Sequence, residues 1–393
     1  MAILNKHQFY YLDTNEKFLR KDTIVWQIRT EFEQIDSYYF EFKLANAFQV
    51  FPLDSLIEPN EIERIKNREL QLVLCNSHEA FHSVVEGIYR DIVQRFSIPP
   101  EQVVLISESA DILEQVKKIS AKYNLGEIKV EWICIFEHSI RRQKLEFLLS
   151  DPIKRPNPDK FYTKKFLNFN RRWRLHRPAL VALLAANNLL DHGYVSLGAC
   201  DDRMSWSTVW NNIKNELSGN QQVTDILLAN EQKILNLPMM YLDTHNLMEN
   251  KPLLERSSNR FYDETYFSVV SETNYFTKSV YPLHPIEPGR FLSEKTFKPI
   301  AQCHPFLIAT VPNSLDALRK LGYKSFSPWI DESYDTELDD ATRLLKIVAE
   351  IKRLSELSPE QVKEFRRGVH EICTFNLGVL LRKDPSENIR KLN

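Results

Sequence analysis

Glycine is scarce in this chain. Its 393 residues include only 9, and none falls in a GxGxxG or Walker A pattern. A glycine-rich loop wrapped around phosphates is therefore not expected. Cysteine is also sparse. Cys75, Cys134, Cys200, Cys303 and Cys373 are far apart and odd in number, with no CxxC. That pattern excludes a disulfide framework and a structural zinc site, and implies reduced thiols. No apolar run reaches the roughly 18 residues of a membrane span. The opening stretch MAILNKHQFYYLDTNEKFLRKD carries charges throughout, unlike a signal peptide. A cytoplasmic location, in a cell or an infected host cell, is the expectation. Excess charge of one sign is missing too. Lys and Arg number 51 against 53 Asp and Glu, for a net charge of −2. The chain as a whole is thus no electrostatic nucleic-acid binder, although a local basic patch fits within that balance.

What is present suits a soluble globular protein. Hydrophobic residues make up 43% and charged residues 26%, and the length suffices for two domains. The first 68 residues have little rhythm, apart from DTIVWQIRTEF and DSYYFEFKL as strands and NEIERIKNRE as a short helix. From residue 69 an alternation emerges. LQLVLCN, QVVLISES and IKVEWICIFE read as strands; HEAFHSVVEGIYRDIVQRF and ADILEQVKKISAKYN between them read as helices. This βαβαβ rhythm marks a parallel sheet with crossover helices. SDPIKRPNPDK, with three prolines, reads as a linker.

A second alternation follows, with strands at KKFLNFN, GYVSLGA, ETYFSVVSET and FLIAT. Helices are expected at RLHRPALVALLAANNLL, twice within 206–236, at the start of EKTFKPIAQC, at NSLDALRKLG, and in two long closing segments. The expected fold is α/β: two Rossmann-like domains facing across a cleft. The expected limits are 1–155 for an acceptor-side domain and 160–355 for a donor-binding domain. Residues 356–393 would form a helix returning toward the first.

In such folds ligands sit beyond the carboxyl ends of strands, so the candidates are the residues just after strands. Ser293 reads as an N-cap, with Glu294 in a first helical turn and Lys295 beside it. A helix start with an added lysine suits a phosphate. After KKFLNF come Asn170, Arg171 and Arg172 in a strand-to-helix turn. Arginine's planar fork matches phosphate oxygens, and Asn170 would position either arginine. From Arg141 to Arg177 there are twelve Lys or Arg against three acids. Most of these read as a solvated face. His176 and Arg177 fall in the next helical turn.

Glu272 ends a strand. It suits either a sugar or ribose hydroxyl, or a cap. His78 and Glu79 follow LVLC and offer a general base, or first-turn charge and surface packing. Ser107, Glu108 and Ser109 are a weaker version of the same arrangement. CDDR (200–203) places two carboxylates together without a third ligand at a telling spacing, so helix caps are expected there rather than a metal. IDESYD (330–335) reads as loop and caps.

LSEKTFKPIAQCHPFLIAT (292–310), taken with LGYKSFSPWIDESYD (321–335), resembles the C-terminal domain of a group of viral, phage and bacterial glycosyltransferases. The Glu-Lys pair opening a helix before a strand is also similar to the donor-site motif of α-fucosyltransferases. FLNFNRRWRLHRPAL (166–180) resembles the start of that domain. The likeness covers roughly 165–345 and implies the GT-B architecture. By position it implies that Lys295 and Arg171 or Arg172 bind a donor diphosphate, and that Glu294 or Glu272 holds the ribose or the sugar. QCHPFLI departs from the small residues and valine usual in fucosyltransferases, so fucose is not implied.

The expected function is transfer of a sugar from a nucleotide-diphosphate donor to an acceptor hydroxyl. Cations and a helix start would stabilise the leaving group without a metal or resident cofactor, and the expected stereochemistry is inversion. Glu79 or His78 would be the base. The acceptor would be a glycan, lipid or small molecule, or a hydroxylated base in phage-type modified DNA, with Trp173 in the basic cluster. A non-catalytic nucleotide- or nucleic-acid-binding protein on the same fold is the alternative.

Overall fold

The computed structural model describes residues 37–41, 58–76, 83–148, 160, 162–170, 174–198, 206–235, 256–277 and 289–382. The chain divides into two compact units. One comprises Met1–His138, Tyr281–Phe291 and Asp384–Asn393; the other comprises Ser139–Val280 and Leu292–Lys383.

The first unit holds a four-stranded, all-parallel sheet. Its strands are β1 (Ser37–Glu41), β2 (Gln71–Asn76), β3 (Val103–Ser107) and β4 (Lys129–Trp132), in that spatial order. Helix α1 (Pro59–Lys66) precedes β2. Helix α2 (Ser83–Ile88) runs on into a π-helical turn, Tyr89–Gln94, and α3 (Ile112–Tyr123) joins β3 to β4. Leu72, Leu74, Val103 and Leu105 pack with Ile62, Ile65, Ile88, Ile92 and Val116. Val73 and Val104, alternating with them, are buried as well. Both faces of β2 and β3 are therefore covered, which is why these strands read as continuous apolar runs.

The α3 helix ends at Asn124, whose left-handed backbone closes it. Residues 289–291 return to this unit. The Arg290 carbonyl accepts the Ala110 N–H at 2.8 Å, and the Arg290 N–H donates to Asp111 Oδ1 at 3.0 Å.

IKVEWICIFE is not one strand. β4 ends at Trp132, and α4 (Ile135–Leu148) begins three residues later. Phe136 and Ile140 are buried at helical spacing. A short apolar run carries no period of its own, so strand and helix start were fused in the sequence reading.

The second unit also has four parallel strands: β5 (Phe166–Asn168), β6 (Gly193–Val195), β7 (Phe267–Ser271) and β8 (Phe306–Ala309). Their spatial order is β6-β5-β7-β8. From β5 the chain crosses to one side through α5 (His176–Ala186), and later returns to the other side with β7. The order therefore reverses between β5 and β7, where α/β sheets open a crevice at their carboxyl ends. Gly193 is required here: a Cβ on it would lie 2.5 Å from the Phe166 ring.

The α5 helix is buried along its whole length, from His176 to Ala185, as expected of a helix apolar on nearly all sides. It packs on α7 (Gln221–Leu235), which follows α6 (Trp206–Glu216), and on α11 (Asp340–Ser355). Helix α8 (Arg256–Glu264) leads into β7, α9 (Glu294–Ala301) into β8, and α10 (Ser314–Lys320) follows β8. The closing helix α12 (Pro359–Arg382) packs within this unit on α9. Cys134, Cys303 and Cys373 are buried free thiols. No described helix is long and apolar enough to cross a membrane.

Candidate functional site

Helix α9 starts where its sequence says it should. Ser293 is extended, and its Oγ accepts the Lys295 N–H at 3.4 Å. The rest of this start is built by a residue 21 positions earlier. Glu272, just past β7, is wholly buried. Its Oε1 accepts the Ser293 N–H at 2.9 Å and the Thr296 hydroxyl at 2.6 Å. Its Oε2 accepts the Ser293 hydroxyl at 2.6 Å and the Thr273 N–H at 3.2 Å. Four donors thus converge on one carboxylate, tying the carboxyl end of β7 to the first turn of α9.

Lys295 stands on this base. Its Nζ donates to Ser293 Oγ and to Glu294 Oε1, both at 2.9 Å. The two side chains remain 25% and 15% exposed, so they border solvent while their partners are enclosed. Burial alone would raise the Glu294 carboxyl. Lys295, Lys298 and its own backbone N–H outweigh that effect and hold it at about 2. Glu294 is consequently a carboxylate at any physiological pH, available to a hydroxyl in a way that the four-times-bonded Glu272 is not.

The other wall of the switch point is the end of β5. Asn168 Nδ2 donates to the Val269 carbonyl at 2.8 Å and to Ser271 Oγ at 3.1 Å. Its Oδ1 accepts from Asn170 Nδ2 at 2.5 Å. The Asn170 N–H donates to Ser196 Oγ at 2.8 Å, and its carbonyl accepts the Gly198 N–H at 2.7 Å. Arg177, buried in the first turn of α5, donates from Nη2 to the Ser271 and Glu272 carbonyls, both at 3.1 Å. His176 stacks on Tyr275, with ring centroids 5.0 Å apart. The Arg343 guanidinium lies 4.4 Å from the same Tyr275 ring. Burial, then the charges of Arg177 and Arg174, push the His176 imidazole well below its ordinary value; a bond with the Glu272 backbone opposes them.

Of the residues singled out in the sequence, Asn170, Glu272, Glu294 and Lys295 lie at the ends of β5 and β7 and the start of α9, within one unit. Arg171, Arg172 and Trp173 fall outside the described residues, as do His78, Glu79 and the CDDR stretch. Glu108 is buried at 2% exposure after β3; Ser107 Oγ beside it accepts the Ser109 N–H at 3.2 Å. Among the described residues no group of three or more His, Cys, Asp or Glu is placed to hold a metal.

Sequence reasoning missed Asn168, Thr296, Tyr275 and Arg343 as positioning residues. Asn168 carried a signal, since a buried amide inside an apolar strand demands partners. Arg343 carried none within its helix. His304, inside the motif, is structural: its Nδ1 meets Ser268 Oγ at 2.8 Å and its Nε2 meets the Thr265 carbonyl at 2.9 Å.

No protein-family model matches the chain, and no curated protein matches it in sequence. Among solved structures, the chain is similar to a UDP-forming α,α-trehalose-phosphate synthase from Burkholderia xenovorans in complex with glucose-6-phosphate. The identity is 10% and the TM-score 0.43, over 94% of this chain and 75% of that one. The α,α-trehalose 6-phosphate synthase of Burkholderia multivorans is similar at 10% identity and a TM-score of 0.42, over 94% and 73%. The N-terminal domain of Candida albicans trehalose-6-phosphate phosphatase is similar at 9% and 0.42, over 94% and 74%. Likenesses this remote carry no argument about chemistry.

Proposed function

We propose that the chain is a glycosyltransferase of the GT-B type whose second unit binds a nucleotide-sugar donor at the β5–β7 switch point. One observation carries this reading. The start of α9 is braced from beneath by the wholly buried Glu272, and presents Glu294 and Lys295 toward solvent beside that switch point. An ammonium at the positive end of a helix suits a diphosphate. A fixed carboxylate beside them suits a hydroxyl. Glu294 is therefore assigned to a donor hydroxyl, and Glu272 to holding Ser293 and Thr296 in place.

The chemistry that follows is acceptor attack on the anomeric carbon with departure of a nucleoside diphosphate. Charge growing on that leaving group is met by Lys295 and the positive end of the α9 dipole, with Arg171 or Arg172, a few residues after β5 in sequence, as further cations. No metal is assigned to this step, and attack opposite the leaving group inverts the anomeric centre. The base is assigned to Glu79 or His78, on sequence position alone. The acceptor is a glycan or small-molecule hydroxyl; a hydroxylated DNA base is the variant that salt-dependent DNA binding would reveal.

A thermal-shift panel of UDP, GDP, CDP and dTDP with their sugars tests the reading. A ligand that binds the native state raises the melting temperature. A shift with one nucleotide and its sugars, followed by transfer or slow hydrolysis that persists in excess chelator, is expected. A nucleotide shift without turnover on any sugar would leave a binding protein. No shift with any nucleotide would remove the donor site itself.

A further inference from the structure

Among the described residues, two buried acceptors at the switch point have no hydrogen-bond partner. Asn170 is fully buried and its Oδ1 is unpaired; His176 is 1% exposed and its Nε2 is unpaired. An unmet polar atom away from water costs about 1–3 kcal/mol, so two together at one strand end call for an explanation. Both side chains are rigidly held. Asn170 is fixed through its Nδ2 to Asn168, which in turn is bonded to Ser271 Oγ. His176 is fixed by its stack on Tyr275 and by its bond with the Glu272 backbone. Arg177 holds the carbonyls of the same Ser271 and Glu272. Both acceptors are thus anchored to Ser271, which ends β7, and to Glu272 just past it, beside the start of α9.

We propose that Asn170 Oδ1 and His176 Nε2 form a subsite that accepts hydrogen bonds from ligand hydroxyl groups. The proposal rests on the donor-site reading and assigns the hydroxyl-bearing part of the donor to these two atoms. Their chemistry excludes the phosphates as partners, because ionised phosphate oxygens bring no proton. The imidazole is kept neutral by its surroundings, so the nitrogen opposite the one bonded to Glu272 keeps its lone pair. The hydroxyl has two possible sources on a nucleotide sugar, the ribose and the transferred sugar, and both offer the same O–H group.

Isothermal titration with three probes separates the outcomes: inorganic pyrophosphate, the nucleoside diphosphate that gives the largest thermal shift, and its glucose ester. The variants are Asn170→Ala and His176→Phe, the latter keeping a ring against Tyr275. Pyrophosphate should bind wild type and both variants alike. The glucose ester should lose about five- to tenfold in each, the scale of one net hydrogen bond. A loss already present with the nucleoside diphosphate identifies the ribose; a loss confined to the ester identifies the transferred sugar. Unchanged affinity for all probes in both variants would overturn the subsite while leaving the donor site standing. Failure of wild type to bind any probe would remove both.

A measurement on the wild-type protein guards against variants that do not fold. His176 and His304 are the described histidines whose surroundings hold them neutral, and both His304 nitrogens are already bonded. In protein labelled with ¹⁵N-histidine, one non-titrating lone-pair nitrogen should shift on adding the glucose ester or the nucleoside diphosphate, and not on adding pyrophosphate. No shift with either nucleotide would count against the subsite.

Discussion

Glu272 and Ser293 are joined twice: the Glu272 carboxylate accepts both the Ser293 N–H at 2.9 Å and the Ser293 hydroxyl at 2.6 Å. This pair couples the end of a central strand to the start of the helix that carries Glu294 and Lys295. A cap alone would fix only the helix. With Glu272 added, the first turn is held in register with the sheet, so the groups it displays need no reorganisation when a ligand arrives.

Glu272→Ala should accordingly be a stability variant first. It leaves the Ser293 and Thr296 donors unmet in a closed space, at about 1–3 kcal/mol for each buried group. Urea unfolding should show a loss of at least about 2 kcal/mol. Ligand affinity should fall with it, because the α9 start loses its brace. Wild-type stability in this variant would mean that the network is not formed in solution.

Lys295→Ala should behave in the opposite way. Its side chain is 25% exposed, so the fold should survive. A charge-assisted contact to a diphosphate is worth about 1.5–3 kcal/mol, or roughly ten- to a hundredfold in affinity. Lys295→Arg should recover only part, since a planar fork does not replace a compact ammonium. Equal diphosphate affinity in wild type and both variants would reduce Lys295 to a surface residue.

Glu294 gives a pH signature. Its folded value, about 2, lies below the ordinary 4.5. The stability it contributes is therefore complete above about pH 5 and is lost as pH falls through 4.5 toward 2. Melting temperatures of wild type should drop more steeply over that window than those of Glu294→Gln. The same variant frees Lys295 from its carboxylate and should bind inorganic pyrophosphate a few-fold more tightly, on the scale of about 0.5–1 kcal/mol for an ion pair that borders solvent. It should bind the nucleotide sugar less tightly, because a hydroxyl partner is lost. Parallel changes for both ligands would separate Glu294 from hydroxyl binding.

Asp335 carries the reverse sign. It is buried at 5% exposure behind the start of α10, where its two oxygens take the Leu315 N–H at 3.1 and 3.3 Å. Burial pushes its carboxyl up to about 6 from 3.8, against the pull of that N–H and of Arg319. The folded state then holds a proton that the unfolded state has released, and stability falls as pH rises from about 4 through 6. Asp335→Asn keeps an acceptor for Leu315 and removes the cost of ionisation. It should stabilise the protein by about 1–3 kcal/mol at pH 7 and by little at pH 3.5. A destabilised variant at pH 7 would show that the charge itself is needed.

Much of this architecture could be read from the chain alone. Alternating buried strands and amphipathic helices announce parallel sheets, because a strand covered on both faces has to be apolar throughout. Ser293 before Glu294 and Lys295 announced a helix start, since a hydroxyl at an extended position satisfies an otherwise unmet N–H. These are local relations, and a few neighbouring residues suffice to impose them. The reversal of strand order between β5 and β7 is not local. Neither is the fate of Glu272, whose sequence fitted a ligand contact and a cap equally well. Only once α9 lies against the end of β7 do Ser293 and Thr296 reach its carboxylate and use it up, leaving Glu294 as the acid that borders solvent. The same holds for His176. Its position in a first helical turn said nothing of its burial; the packing of α5 on all sides placed it against Tyr275 with a nitrogen left unpaired among the described residues. Short-range sterics and hydrogen bonding belong to the sequence, whereas which polar group ends up without a partner is decided by contacts between residues about a hundred positions apart.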